Sequence, residues 1–378
     1  MTWRWLPLAI GAVMCSSPDA DSGFVEQQSV PLDSGAYEVV ASGLQVPWAL
    51  AFAPDGRIFV TERPGRVRVI RNGVLEPRPW ATIAVAEEGE AGLMGIALSP
   101  DFAQTGHVFV CATVRDGRAL INRVLRYTER RGAGVDPTVI VDRIPAAQFH
   151  AGDALGFGPD GMLYVATGDA RSPGSAANRR SLAGKILRYT PSGGVPADNP
   201  TPGSPVFASG VRNVQGLAWD PVTKQLFATD HGPSGFPSER FRMNNDELNA
   251  IRAGANYGWP STVGPSRNAR YVNPLVTWNP GIAPSGLAWY SGADSAWRGS
   301  LFVGALAGEH LRRVSVVADQ AAVGGWRVTG QGRLFPEVGR VRAVAMGPDG
   351  ILYFTSSNRD GRGVPRGGDD HVYRLRAR

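Results

Sequence analysis

The sequence predicts an all-β fold, a six-bladed β-propeller made of four-stranded antiparallel blades. The main observation is a short phrase that recurs six times: Pro-Asp-Gly or a near relative, then alternating apolar residues, then Thr or a small residue. A second observation is that another short apolar run precedes most copies, which gives pairs of strands joined by a turn. In addition, the 48 glycines and 29 prolines break the long runs that a helical fold would need.

The six copies of the phrase set the number of blades. Within a copy, Pro presets φ, Asp can cap the turn and Gly accepts a positive φ, so each copy is a tight turn that leads into a buried strand. Successive copies are roughly 45 to 80 residues apart, longer than a minimal blade, which predicts functional loops on one face. The copies span residues 54–61, 100–112, 159–167, 220–229, 296–304 and 348–355.

Further apolar runs complete the units. Strands ahead of the turns are predicted at residues 48–52, 93–98, 216–219 and 341–346. Strands that follow are predicted at residues 67–70, 123–127, 185–189 and 371–375. This count favours four strands in each blade. The stretch 239–252 is the one region predicted to contain one or two helical turns.

Length and composition bound the domain count and the class of partner. At 378 residues the chain could hold two average domains, but propellers of this length form one unit, so residues 36–378 are predicted to be a single domain. The net charge of +6 comes from arginines scattered among strands and turns, without a basic run or an aromatic-basic motif. Nucleic-acid binding is therefore not expected.

The N-terminus has the features of an export signal. An apolar run over residues 5–14, preceded by one arginine, is too short to span a bilayer, and Cys15 opens a polar stretch. We expect a signal peptide of the ordinary or the lipoprotein type over residues 1–15, a flexible linker over 16–35, and a periplasmic or extracellular location. A membrane tether is expected only through a lipidated Cys15. Cys111 lies in a strand-like run and is expected to be buried.

Several polar positions stand where functional side chains of a propeller project. His150 comes just before one predicted strand, and Arg212 and Asn213 come directly before another. Residues 230–260 gather carboxylates, amides and turns that present carbonyl oxygens. Such oxygen-rich groups suit a calcium site, and they equally suit the capping of turns.

A pair of arginines is a candidate anion-binding site, and two motifs that the sequence lacks argue against two kinds of hydrolase. Arg340 and Arg342 are two residues apart and so share one side of a strand, where they either bind carboxylates in bidentate fashion or face solvent. The five histidines include no His-x-x-x-His pair, so a zinc hydrolase lacks its ligands. A Gly-x-Ser-x-Gly nucleophile motif is also missing from the sequence.

Together these motifs resemble the soluble pyrroloquinoline-quinone-dependent glucose/sorbosone dehydrogenases, including the periplasmic aldose sugar dehydrogenases. The resemblance runs over residues 43–375, nearly the whole mature chain. The segments that carry it are QVPWALAF (45–52), TERPGR (61–66), RNVQGLAW (212–219), DELN (246–249), NYGWP (256–260) and IAPSGL (282–287).

The resemblance implies that the chain oxidises an aldose or related sugar or polyol with pyrroloquinoline quinone (PQQ) and Ca²⁺, and passes the electrons to an external acceptor. His150 matches the general base that takes the proton of the sugar hydroxyl. Arg212 and Asn213 match residues that contact the cofactor. Arg340 and Arg342 match the pair that faces its carboxylates and quinone oxygens, which their charge complements.

The resemblance also implies two calcium sites. The main-chain carbonyl groups of Gly232 and Pro233 match those that hold the active-site Ca²⁺, which would polarise the quinone as a Lewis acid. Glu247 and Tyr257 match a second, structural site.

Three positions depart from the family pattern. Glu90 and Ala307 occupy cofactor-contacting positions where glucose-oxidising members have Gln and Lys. The residue before His150 is Phe149, so the local sequence offers no carboxylate to orient the imidazole. These departures keep open an alternative from another class, a non-catalytic propeller that binds a ligand or protein partner through the same face. A lactonase-type calcium propeller shares the fold but lacks a carboxylate constellation around one metal.

Overall fold

The computed structural model describes residues 36–241 and 245–376, and nearly all of the regular secondary structure in them consists of twenty-five strands in six antiparallel sheets. The sheets are the blades of a six-bladed β-propeller, as predicted. The predicted signal peptide and linker, with Cys15, lie outside the described residues. Five blades have four strands, and the first has a short fifth strand.

The strand bounds follow the chain, blade by blade. Blade 1 consists of β2 (Pro47–Phe52), β3 (Ile58–Glu62), β4 (Arg66–Arg71), β5 (Val74–Leu75) and β6 (Ala81–Thr82). Blade 2 consists of β7 (Leu93–Leu98), β8 (His107–Asp116), β9 (Ala119–Arg130) and β10 (Ala133–Ala146). Blade 3 consists of β11 (Gly152–Phe157), β12 (Leu163–Thr167), β13 (Lys185–Tyr189) and β14 (Val206–Ser209). Blade 4 consists of β15 (Val214–Trp219), β16 (Leu226–Asp230), β17 (Asp246–Ile251) and β18 (Val276–Trp278). Blade 5 consists of β19 (Pro284–Trp289), β20 (Ser300–Ala305), β21 (His310–Ala318) and β22 (Trp326–Leu334). Blade 6 consists of β23 (Val341–Met346), β24 (Leu352–Ser356), β25 (Val372–Leu375) and β1 (Tyr37–Ala41).

Helical structure in the described residues is limited to single turns. These are α1 (Phe102–Thr105), α2 (Gly174–Ala177) and the 3₁₀ turns Ser295–Trp297, Val323–Gly325 and Pro336–Val338. Among the described helices, none has the length and apolar character needed to cross a membrane.

The first strand closes the ring. β1 pairs with β25 as the outermost strand of blade 6, with Tyr37 opposite Leu375. The innermost strands of successive blades contact each other all the way round, including β23 against β2. Each inner strand is one edge of its own sheet, and the radial repetition of blades leaves these edges short and protected inside the ring.

The recurring phrase lies where β2 and its equivalents turn into the next strand. In blade 1 the N–H of Gly56 donates to the carbonyl oxygen of Ala53 at 3.0 Å, and Asp55 Oδ1 accepts the N–H of Arg57 at 3.1 Å. Gly56 has φ of 84°, which a glycine adopts without strain. The apolar residues beyond the turn fill the interfaces between blades, and Cys111 is buried there as expected.

The helical turn predicted within residues 239–252 is wrong over the strand β17. All six residues of β17 are buried, and it pairs with both β16 and β18. The sequence of β17, Asp-Glu-Leu-Asn-Ala-Ile, lacks the pattern that is typical of a strand. Its polar residues are buried, whereas the buried positions of a sheet are normally apolar.

Candidate active site

One mouth of the ring collects the polar residues, for a geometric reason. The innermost strand of a blade runs antiparallel to the second, so the start of one lies beside the end of the other. Thus Gly152 pairs with Thr167, and Val214 with Asp230. Residues just before β11, β15 and β23 and just after β12, β16 and β24 therefore converge at the same end of the propeller.

The imidazole of His150 is held in one tautomer. Its Nδ1 lies 2.8 Å from Asp169 Oδ1, and its Nε2 lies 2.8 Å from Nη2 of Arg212. Since a guanidinium can only donate, Nε2 is the acceptor and the proton resides on Nδ1, which donates to Asp169. Nε1 of Trp259 donates to the other oxygen of Asp169 at 2.8 Å. The expectation that His150 lacks an orienting carboxylate is wrong, because Asp169 reaches it from the end of β12.

Gly168 lets the loop that carries Asp169 lie close to the loop that carries His150. A Cβ at Gly168 would lie 1.8 Å from the carbonyl oxygen of His150. No other residue fits there unless the backbone moves, so Gly168 sets the distance between Asp169 and the imidazole.

Arg212 connects the base to the loop after β16. It is 2% exposed, its Nε donates to Glu239 Oε1 at 2.7 Å, and its Nη1 donates to the carbonyl oxygen of His231 at 3.2 Å. The other carboxylate oxygen of Glu239 accepts the backbone N–H groups of Ser234 and Phe236 at 2.9 and 3.0 Å. Glu239 therefore compensates the buried guanidinium and ties this loop to the site.

Glu90 is a paired anion at the same mouth. Its Oε2 accepts the backbone N–H of His150 at 3.2 Å and Nδ2 of Asn213 at 3.3 Å, and its Oε1 accepts from Arg362 at 3.3 Å. Burial alone would raise the pKa of Glu90, but the basic groups of His231 and Arg362 hold it below its usual value. The carboxylate thus positions His150 and Asn213.

Arg340 and Arg342 share one carboxylate. Oδ2 of Asp360 lies 2.8 Å from Nη2 of Arg340 and 3.3 Å from Nη2 of Arg342. Cζ of Arg342 also lies 4.0 Å from the ring centroid of Trp48. Burial lowers the pKa of Arg342 to about 10, so it stays charged at neutral pH. Burial acts to raise the pKa of Asp360, yet the two arginines bring it below its usual value. Two buried cations are therefore balanced by one anion.

A cavity of about 300 Å³ lies beside these arginines, at the lower end of the size range of small-molecule sites. Its polar walls include Arg63, Glu90, Gln215, His231, Arg340 and Arg342. His231 is buried, and its Nε2 has no hydrogen-bond partner among the described residues. A ligand that hydrogen-bonds would satisfy this atom, and an anionic one would balance the excess of guanidinium charge. These residues fit PQQ, which carries three carboxylates.

A second, smaller cavity of about 10 Å³ lies beside Arg212 and two carboxylates. Asp230 and Glu247 are cross-strand partners on β16 and β17, and both line it together with Gly232 and Tyr257. Burial raises the pKa of Asp230 to about 6 and that of Glu247 to about 7. Within the described ranges, no group of three or more His, Cys, Asp or Glu side chains is arranged to hold a metal. A Ca²⁺ ion accepts main-chain carbonyl oxygens, so two carboxylates and neighbouring carbonyl groups suffice in kind.

Most of the residues singled out from the sequence lie at this mouth. Those joined by hydrogen bonds are Glu90, His150, Arg212 and Asn213. Arg340 and Arg342 line the larger cavity, whereas Gly232, Glu247 and Tyr257 line the smaller one. Pro233 is buried directly after Gly232. Ala307 is exposed beside Leu306 and adds no charge to the larger cavity.

The sequence motifs did not identify three carboxylates of the site. Asp169, Glu239 and Asp360 each compensate or orient a basic residue that was singled out. Asp169 lies two residues after the end of a predicted strand, which is the signal that could have identified it. Glu239 and Asp360 lie in long loops, where spacing along the chain gives no indication of a partner.

Comparison with known proteins agrees with this architecture. The sequence model of the family "Glucose / Sorbosone dehydrogenase" matches residues 44–366. The chain is 31% identical to the aldose sugar dehydrogenase YliI of Escherichia coli, over 86% of this chain and 90% of that protein. The PQQ-bound aldose sugar dehydrogenase of Streptomyces coelicolor is similar in structure, with a TM-score of 0.78 and 35% identity over 91% of this chain and 99% of that one. A Thermus thermophilus protein assigned as an oxidoreductase (glucose dehydrogenase) has a TM-score of 0.82 and 44% identity, over 90% of this chain and 99% of that one. The chain described here belongs to the glucose/sorbosone dehydrogenase family.

Proposed function

We propose that the chain is a quinoprotein dehydrogenase that oxidises an aldose or related sugar or polyol, with PQQ as the hydride acceptor, Ca²⁺ beside it and an external electron acceptor. The observation that carries this proposal is the His150 imidazole, fixed with an unprotonated Nε2 at the mouth that also holds the arginine-rich cavity. The PQQ-bound relative from Streptomyces coelicolor supports it.

His150 is the proposed general base. In the proposed reaction the sugar hydroxyl replaces Arg212 as the partner of Nε2 and gives up its proton to that atom, while the hydrogen on the same carbon leaves as hydride. Asp169 stabilises the imidazolium that forms, because it already accepts the Nδ1 proton. The bound quinone supplies the two-electron acceptor that no side chain provides.

Other residues hold the cofactor and the metal. Arg340 and Arg342 would bind the carboxylates of PQQ, and Nε2 of His231 would gain a hydrogen-bond partner. The main-chain carbonyl groups of Gly232 and Pro233 would bind the Ca²⁺ next to the quinone. Export to the periplasm or the extracellular space, with or without a lipid on Cys15, is part of the same proposal.

One observation favours the non-catalytic alternative. His150 is only 4% exposed, and its Nε2 is occupied by Arg212. A propeller that merely binds a ligand or protein at this mouth would keep the imidazole in that closed arrangement.

Reconstitution separates the two functions. We expect the purified protein, loaded with PQQ and Ca²⁺, to oxidise aldoses with an artificial dye as acceptor. We expect His150→Gln to lose turnover by at least about a hundredfold while still binding PQQ at equilibrium. His107→Gln, in β8 of blade 2, is the matched control and should keep full activity. Stoichiometric PQQ binding without oxidation of any sugar in a broad panel would favour the binding function instead.

A further inference from the structure

Four side chains form a continuous stack across the mouth of the site. Cζ of Arg171 lies 4.4 Å from the ring centroid of Phe236, Phe236 stacks on Phe149 at 5.7 Å and 29°, and Cζ of Arg362 lies 5.3 Å from the centroid of Phe149. The two rings are half-buried and the two arginines are exposed. The stack therefore presents one guanidinium to solvent at each end.

Arg171 is fixed relative to the proposed base. Oδ1 of Asp169 accepts the backbone N–H of Arg171 at 2.8 Å and faces Nδ1 of His150 at 2.8 Å. Phe236, which carries the Arg171 guanidinium on its face, also contacts the imidazole edge-on at 5.4 Å. One carboxylate and one ring thus hold both the base and the cation.

The backbone at this point is strained. Ala170 and Arg171 have φ of 53° and 58°, in the left-handed region that is energetically unfavourable for a non-glycine residue. Two consecutive residues persist in that conformation only where surrounding contacts impose it. Here those contacts place Arg171 beside His150.

Arg171 differs from the other arginines of the mouth in having no carboxylate partner among the described residues. The other guanidinium groups of the mouth pair with carboxylates: Arg63 with Glu87, Arg212 with Glu239, Arg362 with Glu90, and Arg340 and Arg342 with Asp360. In the described part of the chain, the Arg171 guanidinium contacts the face of Phe236 and no carboxylate. A guanidinium that lies over a ring face without a carboxylate partner keeps N–H groups available for a bidentate contact.

Building on the proposed function, we infer that Arg171 makes the site selective for aldoses that carry an anionic group away from the oxidised carbon, a carboxylate as in a hexuronate. The reaction at C1 is the same as for an uncharged aldose. The C1–H bond breaks and its hydride passes to the quinone, the C1 hydroxyl proton passes to His150, and the C1–O bond becomes the carbonyl of a lactone. The remote carboxylate is not altered, and it binds the planar edge of Arg171.

Matched sugars test this selectivity. D-glucuronate and D-glucose differ only at C6, and D-glucose 6-phosphate carries at that carbon a phosphate of about two negative charges instead of a carboxylate of one. With PQQ and Ca²⁺ loaded, we expect kcat/KM for glucuronate to exceed that for glucose by about tenfold, since the exposed guanidinium would make a bidentate charge-assisted contact with the C6 carboxylate. Arg171→Gln should lower this ratio to near one, and Arg179→Gln, an exposed arginine in the same blade, should keep it. A higher value for glucose 6-phosphate than for glucuronate would overturn the assignment to a carboxylate.

Binding without turnover separates this inference from the proposed function. The contacts that fix Arg171 come from the protein alone, so calorimetry on the cofactor-free full-length chain can compare glucuronate binding by the wild type and Arg171→Gln. We expect about tenfold weaker binding by the variant, and added salt should shrink that difference. Oxidation of glucose with no preference for glucuronate would overturn the inference alone. Glucuronate binding that needs Arg171, without any oxidation, would overturn the dehydrogenase and leave the anion site.

Discussion

Replacing Asp360 by asparagine should have opposite effects on the stability of the empty protein and on its affinity for the cofactor. Asp360 is 3% exposed and lies between the guanidinium groups of Arg340 and Arg342. Its removal leaves two buried cations without an anion, and breaking a buried ion pair in this way costs about 3–5 kcal/mol. Because asparagine keeps one acceptor oxygen, we expect a loss of about 3 kcal/mol in the free energy of unfolding, or about 4 °C in melting temperature for a domain of this length.

The same substitution removes a negative charge from the wall of a pocket proposed to bind a tricarboxylate. At a separation of about 6 Å and an effective dielectric constant of about 40, the repulsion between two like charges is about 1.4 kcal/mol, a factor of about ten in Kd. Asp360→Asn should therefore bind PQQ about tenfold more tightly while melting at a lower temperature.

Thermal unfolding and a PQQ titration of the same preparations measure both quantities. Asp319→Asn is the matched control, because Asp319 pairs with Arg327 at the surface, where such a pair contributes little. A variant that binds PQQ more weakly than the wild type would refute the charge argument and leave Asp360 as a residue that only positions the arginines. An unchanged melting temperature would refute the buried-pair argument.

Buried polar groups give three further predictions. Burial lowers the pKa of His310 to about 4. As the pH falls from 6.5 to 4, the unfolded chain is therefore protonated at this residue before the folded protein, and the folded state loses stability. His310→Gln should make the melting temperature less dependent on pH in that window. The less buried His107→Gln should leave the slope nearly as in the wild type. Chelation with EGTA should lower the melting temperature, and Glu247→Gln should reduce that effect, because only the site at Gly232 and Pro233 would still lose Ca²⁺; equal shifts in both proteins would contradict a calcium site at Glu247. Asp169→Asn should lower kcat by about a hundredfold or more with PQQ affinity nearly unchanged, and a loss confined to KM would contradict its role in orienting the imidazole.

The architecture could be predicted because the phrase that repeats is local. A Pro-Asp-Gly turn followed by an apolar run fixes its own backbone geometry, and six copies are visible without any knowledge of contacts. β17 was missed for the opposite reason. Its polar residues serve the site rather than the core, so the strand carries no period-two pattern.

The basic residues of the site could be predicted, whereas their partners could not. His150, Arg212 and Arg340 stand directly before inner strands, a position that the repeat itself identifies. Asp169, Glu239 and Asp360 reach them from neighbouring strand ends and loops, and these pairings depend on how the strands lie beside each other in the ring. In the sequence, Glu90 stands out only because it replaces the Gln of glucose-oxidising family members and adds a negative charge. In the structure, its three hydrogen-bond partners make it part of the framework of the site.

Direct titration of the full-length protein with PQQ in the presence of Ca²⁺ tests the central claim, that this mouth of the propeller holds an anionic quinone. The account predicts one PQQ per chain, with binding weakened by at least about tenfold in Arg342→Gln, which removes a buried charge from the cavity wall. Saturable binding that Arg342→Gln leaves unchanged, or no binding at all at high micromolar PQQ, would contradict it.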